Sequence, residues 1–148
     1  MNRPRQFHGR SLRKGRFSEP GRAYLITTVV RNRRPVFRDF LNAAIAARTI
    51  HQLESRGHHT LCYVVMPDHI HWLVQIGAQH SLSRVVSIMK SLSARHIGMP
   101  IWQRGFHDHA VRDGEDIRQM ARYVIANPLR AGLVARIGDY PFWGAAWL

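Results

Sequence analysis

Hydrophobic side chains along this chain alternate with polar ones, cluster, or recur every third or fourth residue, and each pattern predicts a different element. "AYLITTVV" (Ala23–Val30) is rich in β-branched and aromatic residues and reads as a strand. Leu41, Ile45, Thr49 and Leu53 recur every four residues between a capping Asp39 and a terminating Gly57, which predicts a helix over 41–56 with those four on its buried face. "HTLCYVVM" (59–66) is apolar on both faces, as a central strand is, and "PD" then turns the chain into "HIHWLVQI" (69–76) to complete a hairpin. In this second hairpin strand Ile70, Trp72, Val74 and Ile76 share the core face, while His69, His71, Leu73 and Gln75 point the other way. Ser81 caps a second helix that buries Leu82, Val85, Val86, Met89 and Leu92 and turns Arg84, Ser87, Lys90, Ser91 and Arg95 outward. "IWQRGFHDHAVR" (101–112) reads as extended. A third helix runs from Gly114 to about Asn127, capped by Asp113 or Asp116 and stopped by Pro128, which disfavours helical geometry in the residue before it.

The order strand, helix, hairpin, helix, extended segment, helix predicts an α+β fold, a ferredoxin-like single domain over 23–148 with a mainly antiparallel sheet and helices on one face. A basic arm over 1–22 precedes it. At 148 residues the chain supplies one core, and 45% hydrophobic content excludes wholesale disorder. No apolar run approaches the roughly 18 residues of a membrane span, and the charged N-terminus lacks the apolar segment of a secretory signal. The single cysteine, Cys62, can form no internal disulfide and reads as a core residue. These features together predict a cytoplasmic protein with no membrane partner.

Charge narrows the class of partner. Lys and Arg number 22 against nine Asp and Glu, a net charge of +13. Eleven of those cations lie between Arg3 and Arg38, opposed there only by Glu19. Such an excess points to a polyanion, and nucleic acid explains both the arm and the whole-chain charge. The expected location is therefore nucleoid-associated, with binding that weakens steeply as salt rises.

The candidate chemistry lies in the hairpin and the third helix. His69 and His71 stand side by side on one face of a rigid strand, so both imidazoles can reach one divalent ion. A second H-x-H, His107 and His109, lacks so clean a strand context. Tyr123 and Asn127, four apart on the third helix, project together with Gln119 one turn earlier. If that surface packs over the histidine face, two imidazoles, an amide oxygen and a phenol share one site. Such a set suits phosphodiester chemistry, in which a metal offsets phosphate charge and the tyrosine oxygen attacks phosphorus. Each residue also has a plain structural reading: hydrogen-bonded sheet histidines, a core-edge tyrosine, an asparagine ending a helix before proline. Tyr24 and Tyr63 lie in strands and read as core, whereas Tyr140 belongs to an aromatic tail with Phe142, Trp143 and Trp147 that reads as docked to the domain.

"MPDHIHWLV" resembles the His-hydrophobic-His signature of the HUH nucleases, and "YVIANPLRAGLV" resembles the tyrosine helix of their single-tyrosine, IS200-like transposase branch. "LRKGR", "AYLITTVVRNRRPVF", "WQRGFHDHAVR" and "DYPFWGAAWL" are similar, in order, to REP-associated tyrosine transposases. The resemblance implies that His69 and His71 are metal ligands for Mg or Mn. It implies that Tyr123 is the nucleophile, forming a 5′-phosphotyrosine bond on single-stranded DNA. Asn127 stands where related transposases carry glutamine, which makes it the third metal ligand by resemblance, one methylene shorter. Hairpin-forming repeats are the implied substrate, a monomer the implied state, and no small-molecule substrate is expected. Arg10, Arg13, Lys14 and Arg16 of the arm are the candidate DNA contacts, with Lys90 and Arg95 beside them. Two rival readings stay open: a catalytically silent module that binds DNA or RNA hairpins, and a metal-dependent hydrolase of small phosphates, which would leave the basic arm unexplained.

Overall fold

The computed structural model describes residues 18–54 and 56–147. The candidate DNA contacts Arg10, Arg13, Lys14 and Arg16 lie outside them. The described strands are β1 (Ala23–Val29), β2 (His58–Met66), β3 (His69–Ile76), β4 (His107–Ala110) and β5 (Trp143–Ala145). The helices are α1 (Phe40–Gln52), α2 (Leu82–Ile97), α3 (Ile117–Ile125) and the four-residue α4 (Asn127–Arg130). Every strand pair is antiparallel, and the sheet order is β4-β1-β3-β2-β5. The first four positions are the ferredoxin-like order, in which β3 inserts between β1 and β2 of a split βαβ unit. The fifth strand is the aromatic tail, docked along β2.

Central β3 determines how the layers stack. Ile70, Trp72, Val74 and Ile76 are all at most 2% exposed and pack with residues of α1 and α2 into one core. The other face is also apolar: Cys62, Val64, Met66 and Leu73 form a second core with Ala121 and Val124 of α3. The expectation of helices on one face therefore holds for α1 and α2 and needs correction for α3. A sheet apolar on both faces must be covered on both, and α3 provides the second cover.

The local signals acted largely as expected. Asp39 accepts from the Leu41 and Asn42 amides at the start of α1, and Ser81 accepts from Arg84 N–H at the start of α2. The buried stripe of α1 is Ala43, Ala46, Thr49 and Ile50, with Leu53 just beyond, whereas Leu41 is exposed. The four-residue spacing had the phase wrong by a fraction of a turn. Alanines set the contact, because their small side chains let the helix approach the sheet closely. Helix α3 begins three residues later than expected, at the cap formed by Asp116 with the Arg118 and Gln119 amides. Asp116→Ala is expected to cost about 1 kcal/mol of stability, read as a lower thermal midpoint.

Pro128 breaks the helix, but the chain restarts at once as α4. Proline has no N–H for the carbonyl of Val124, four residues earlier. The Asn127 side-chain amide fills that gap, donating from Nδ2 to Val124 C=O at 2.7 Å. No helix among the described residues is long and apolar enough to cross a membrane.

Candidate active site

His69 and His71 enter β3 directly from the Pro67–Asp68 turn, and the strand's alternation puts both rings on the α3 side of the sheet. Their Nε2 atoms converge to 3.1 Å, with the rings edge-on at 82°. Two nitrogens bound at a right angle to one ion, each about 2.1 Å away, stand about 3 Å apart, so the pair has the spacing a shared cation needs. The opposite ring nitrogens are each held. His69 Nδ1 lies 2.6 Å from Asp68 Oδ1, and His71 Nδ1 lies 3.0 Å from Thr27 Oγ1. With each Nδ1 hydrogen donated to its oxygen, both Nε2 lone pairs face the same point. This is how outer partners fix the tautomer of metal-binding histidines.

The electrostatics favour a neutral His71. Burial, then the charges of His69, Arg130 and Arg33, push the His71 imidazole down to about 4. His71 is thus unprotonated at neutral pH, as a ligand must be. Burial works to raise Asp68, but its bond to His69 and the charges of His69 and Arg33 outweigh this and hold the carboxyl below its ordinary range. Arg33 reaches Asp68 Oδ2 at 3.4 Å. Beside the histidines in register stand Val29 and Met66 (opposite His69) and Val64 (opposite His71), which give the pair an apolar surround.

Thr27 and Asp68 were not foreseen as site residues. Asp68 could have been suspected from "PDHIH", since a carboxylate next to a histidine pair is a ready orienting group. Thr27 could not, because its role depends on the β1–β3 register. Thr27→Val keeps the shape and β-branching of the residue and removes only the hydroxyl. Metal affinity is expected to fall about 10- to 100-fold, measurable by titrating Mn against the folded protein.

Tyr123 lies on α3, and both α3 and α4 pack against β2, next to the histidine strand. The residue is 65% exposed. The other tyrosines are all engaged. Tyr24 Oη accepts from Glu19 N–H, Tyr63 Oη is 3.0 Å from His51 Nε2, and Tyr140 Oη donates to the Val65 carbonyl. Burial raises the phenols of Tyr63 and Tyr140, the latter to about 12. Tyr123 is thus the one tyrosine exposed to solvent.

Arg130 of α4 sits over it, with Cζ 3.8 Å from the ring centroid and Nη2 donating to the Tyr123 carbonyl at 2.7 Å. Arg130 is also one of the charges that lower His71. Among the described residues no group of three or more His, Cys, Asp and Glu side chains could hold an ion, so the pair needs a further oxygen donor. Asn127 Nδ2 is committed to Val124 C=O, which leaves Oδ1 outside that bond.

The remaining candidates fall elsewhere. Lys90 and Arg95 belong to α2, which covers the opposite face of the sheet from the histidines. Lys90 Nζ donates to the carbonyls of Gln103 and Gly105 and so braces the loop before β4. His109 Nε2 is taken by Glu115 at 3.2 Å. His107 lies opposite Thr27 on the neighbouring strand, in the cross-sheet row that contains His71.

Residues 21–127 match the family described as Transposase IS200 like. The chain is 29% identical over 129 residues to the REP-associated tyrosine transposase of Escherichia coli strain K12, covering 86% of this chain and 78% of that protein. It also superposes on a solved structure of a REP-associated tyrosine transposase bound to a REP hairpin. There the TM-score is 0.75 at 25% identity, with 86% of this chain and 79% of the other covered.

Proposed function

Since the chain belongs to the IS200-like transposase family, we propose that it is a metal-dependent enzyme that nicks and rejoins hairpin-forming single-stranded DNA through Tyr123. One observation carries this reading: two imidazole Nε2 atoms aimed at a common point, 3.1 Å apart, on the sheet face whose helix presents the only exposed tyrosine among the described residues. That the similar solved protein was captured with a REP hairpin supports a hairpin as the DNA class.

His69 and His71, with Asn127 Oδ1 as the proposed third donor, would hold Mg or Mn; when bound, the ion offsets charge building on the scissile phosphate. Asp68 and Thr27 keep the two rings oriented, and the burial of His71 keeps it free of a competing proton. The Tyr123 oxygen forms a bond to phosphorus as the bond from phosphorus to the 3′ oxygen breaks. The phenolic proton passes to solvent, and the departing oxygen takes up a proton to leave as a 3′-hydroxyl. A 5′-phosphotyrosine results, and the reverse attack by a 3′-hydroxyl rejoins strands. The basic arm over 1–22, through Arg10, Arg13, Lys14 and Arg16, would hold the hairpin's phosphates, with Arg95 contributing from α2.

The test is a denaturing gel of the protein incubated with a labelled hairpin oligonucleotide carrying a 5′ single-stranded flank. A retarded protein–DNA band that depends on Mn and disappears with a chelator is the expected result. Hairpin retention on a native gel without that band would instead make the protein a binding module. Turnover of small phosphate esters without it would favour the hydrolase.

A further inference from the structure

Arg130 is exposed, yet it makes two specific contacts with one residue. Its guanidinium carbon lies over the Tyr123 ring, 3.8 Å from the centroid, and Nη2 donates to the Tyr123 carbonyl at 2.7 Å. The two contacts together tie side chain and backbone of the same residue to one planar group. A phenol on an exposed helix surface otherwise exchanges among rotamers, each placing the hydroxyl several ångströms from the last. Arginine suits this task, since its fork donates to a carbonyl in its plane while its face covers an aromatic ring. The helix break serves the same contact, for α4 begins at the residue before Pro128 and carries Arg130 at its last position.

We propose that Arg130 is a positioning residue for the strand-cleaving step: it clamps the Tyr123 ring in one orientation so that the hydroxyl meets the phosphodiester held at the histidine pair. This rests on the reading of Tyr123 as nucleophile. In that step the tyrosine oxygen bonds phosphorus and the 3′ oxygen leaves with a proton from solvent, as above. Arg130 exchanges neither a proton nor an electron pair.

The test compares Arg130→Lys and Arg130→Gln with the unaltered protein in single-turnover adduct formation, over a range of hairpin DNA concentrations in Mn, with Tyr123→Phe run alongside. Lysine keeps the charge but cannot lie flat on a ring and bond a carbonyl at once. Both variants are expected to lose about 10- to 100-fold in the rate at saturating DNA, in line with the cost of a small misplacement of a reacting group. The half-saturating DNA concentration and the melting temperature should stay close to those of the unaltered protein. Full saturating rate in either variant overturns the clamp. So does a lysine variant in which only half-saturation has moved, since that marks a plain phosphate contact. If Tyr123→Phe still forms the adduct, the nucleophile itself is misassigned, an outcome separable from failure of the clamp alone.

Discussion

Tyr123→Phe is expected to reduce the covalent protein–DNA band to background while leaving hairpin retention and thermal midpoint unchanged. The substitution is clean for three reasons. At 65% exposure the ring contributes little to the core, and surface changes of this kind usually stay within about 0.5 kcal/mol. Among the described residues no hydrogen bond of the Tyr123 hydroxyl holds another element in place, whereas those of Tyr24, Tyr63 and Tyr140 link distant segments. A phenyl ring also keeps the stack under Arg130. What is removed is the oxygen alone, and without it no bond to phosphorus can form. Persistence of the band at full strength would require one of the three engaged tyrosines to leave its partner and reach the DNA, and the enzymatic reading built on Tyr123 would fall.

Trp72→Ala should have the largest effect on stability. Trp72 is fully buried in central β3, packed edge-on against His58 and bonded through Nε1 to Thr60 Oγ1 at 2.9 Å. Truncation removes the ring, leaves a cavity between the sheet and its two long helices, and strands the Thr60 hydroxyl without that donor. Aromatic-to-alanine changes at such sites cost about 3–5 kcal/mol. For a domain of this size each kcal/mol lowers the midpoint by about 2–4 °C, so a fall of roughly 6–20 °C is expected by circular dichroism or calorimetry. A fall of only a degree or two would mean that the layer between β3 and the helices is not the main core.

How much of this was legible beforehand depended on how local each signal is. Strand β3 could be read in full, since alternation over His69–Ile76 needs no knowledge of neighbours and yields both the core face and the adjacency of the two imidazoles. The caps at Asp39 and Ser81 were likewise local. Helix α1 was misphased because alanine is a weak hydrophobic signal: Leu41 outweighs Ala43 in a sequence pattern, but the smaller residue is the one a close-packed sheet accepts. The apolar second face was legible in 59–66, but that α3 is the element that covers it, through Ala121 and Val124, depends on contacts between segments far apart in sequence. Thr27 and Arg130 were out of reach altogether. The first is brought to His71 by strand register across 44 residues, and the second to Tyr123 by a helix that breaks and restarts at a proline.

The docked tail has a consequence for how the molecule meets its own copies. β2 is nine residues long and, without β5, would offer its outer row of amides and carbonyls to any extended chain. The last strand takes up Cys62, Tyr63 and Val64, the Phe142 carbonyl accepts from Val65 N–H, and Leu61 C=O receives Ala146 N–H. With β4 at the far side, both margins of the sheet are very short strands, three residues at β5 and four at β4. Short margins discourage edge-to-edge stacking, so a handful of residues at the carboxyl end keeps a highly β-branched sheet from templating its own polymer.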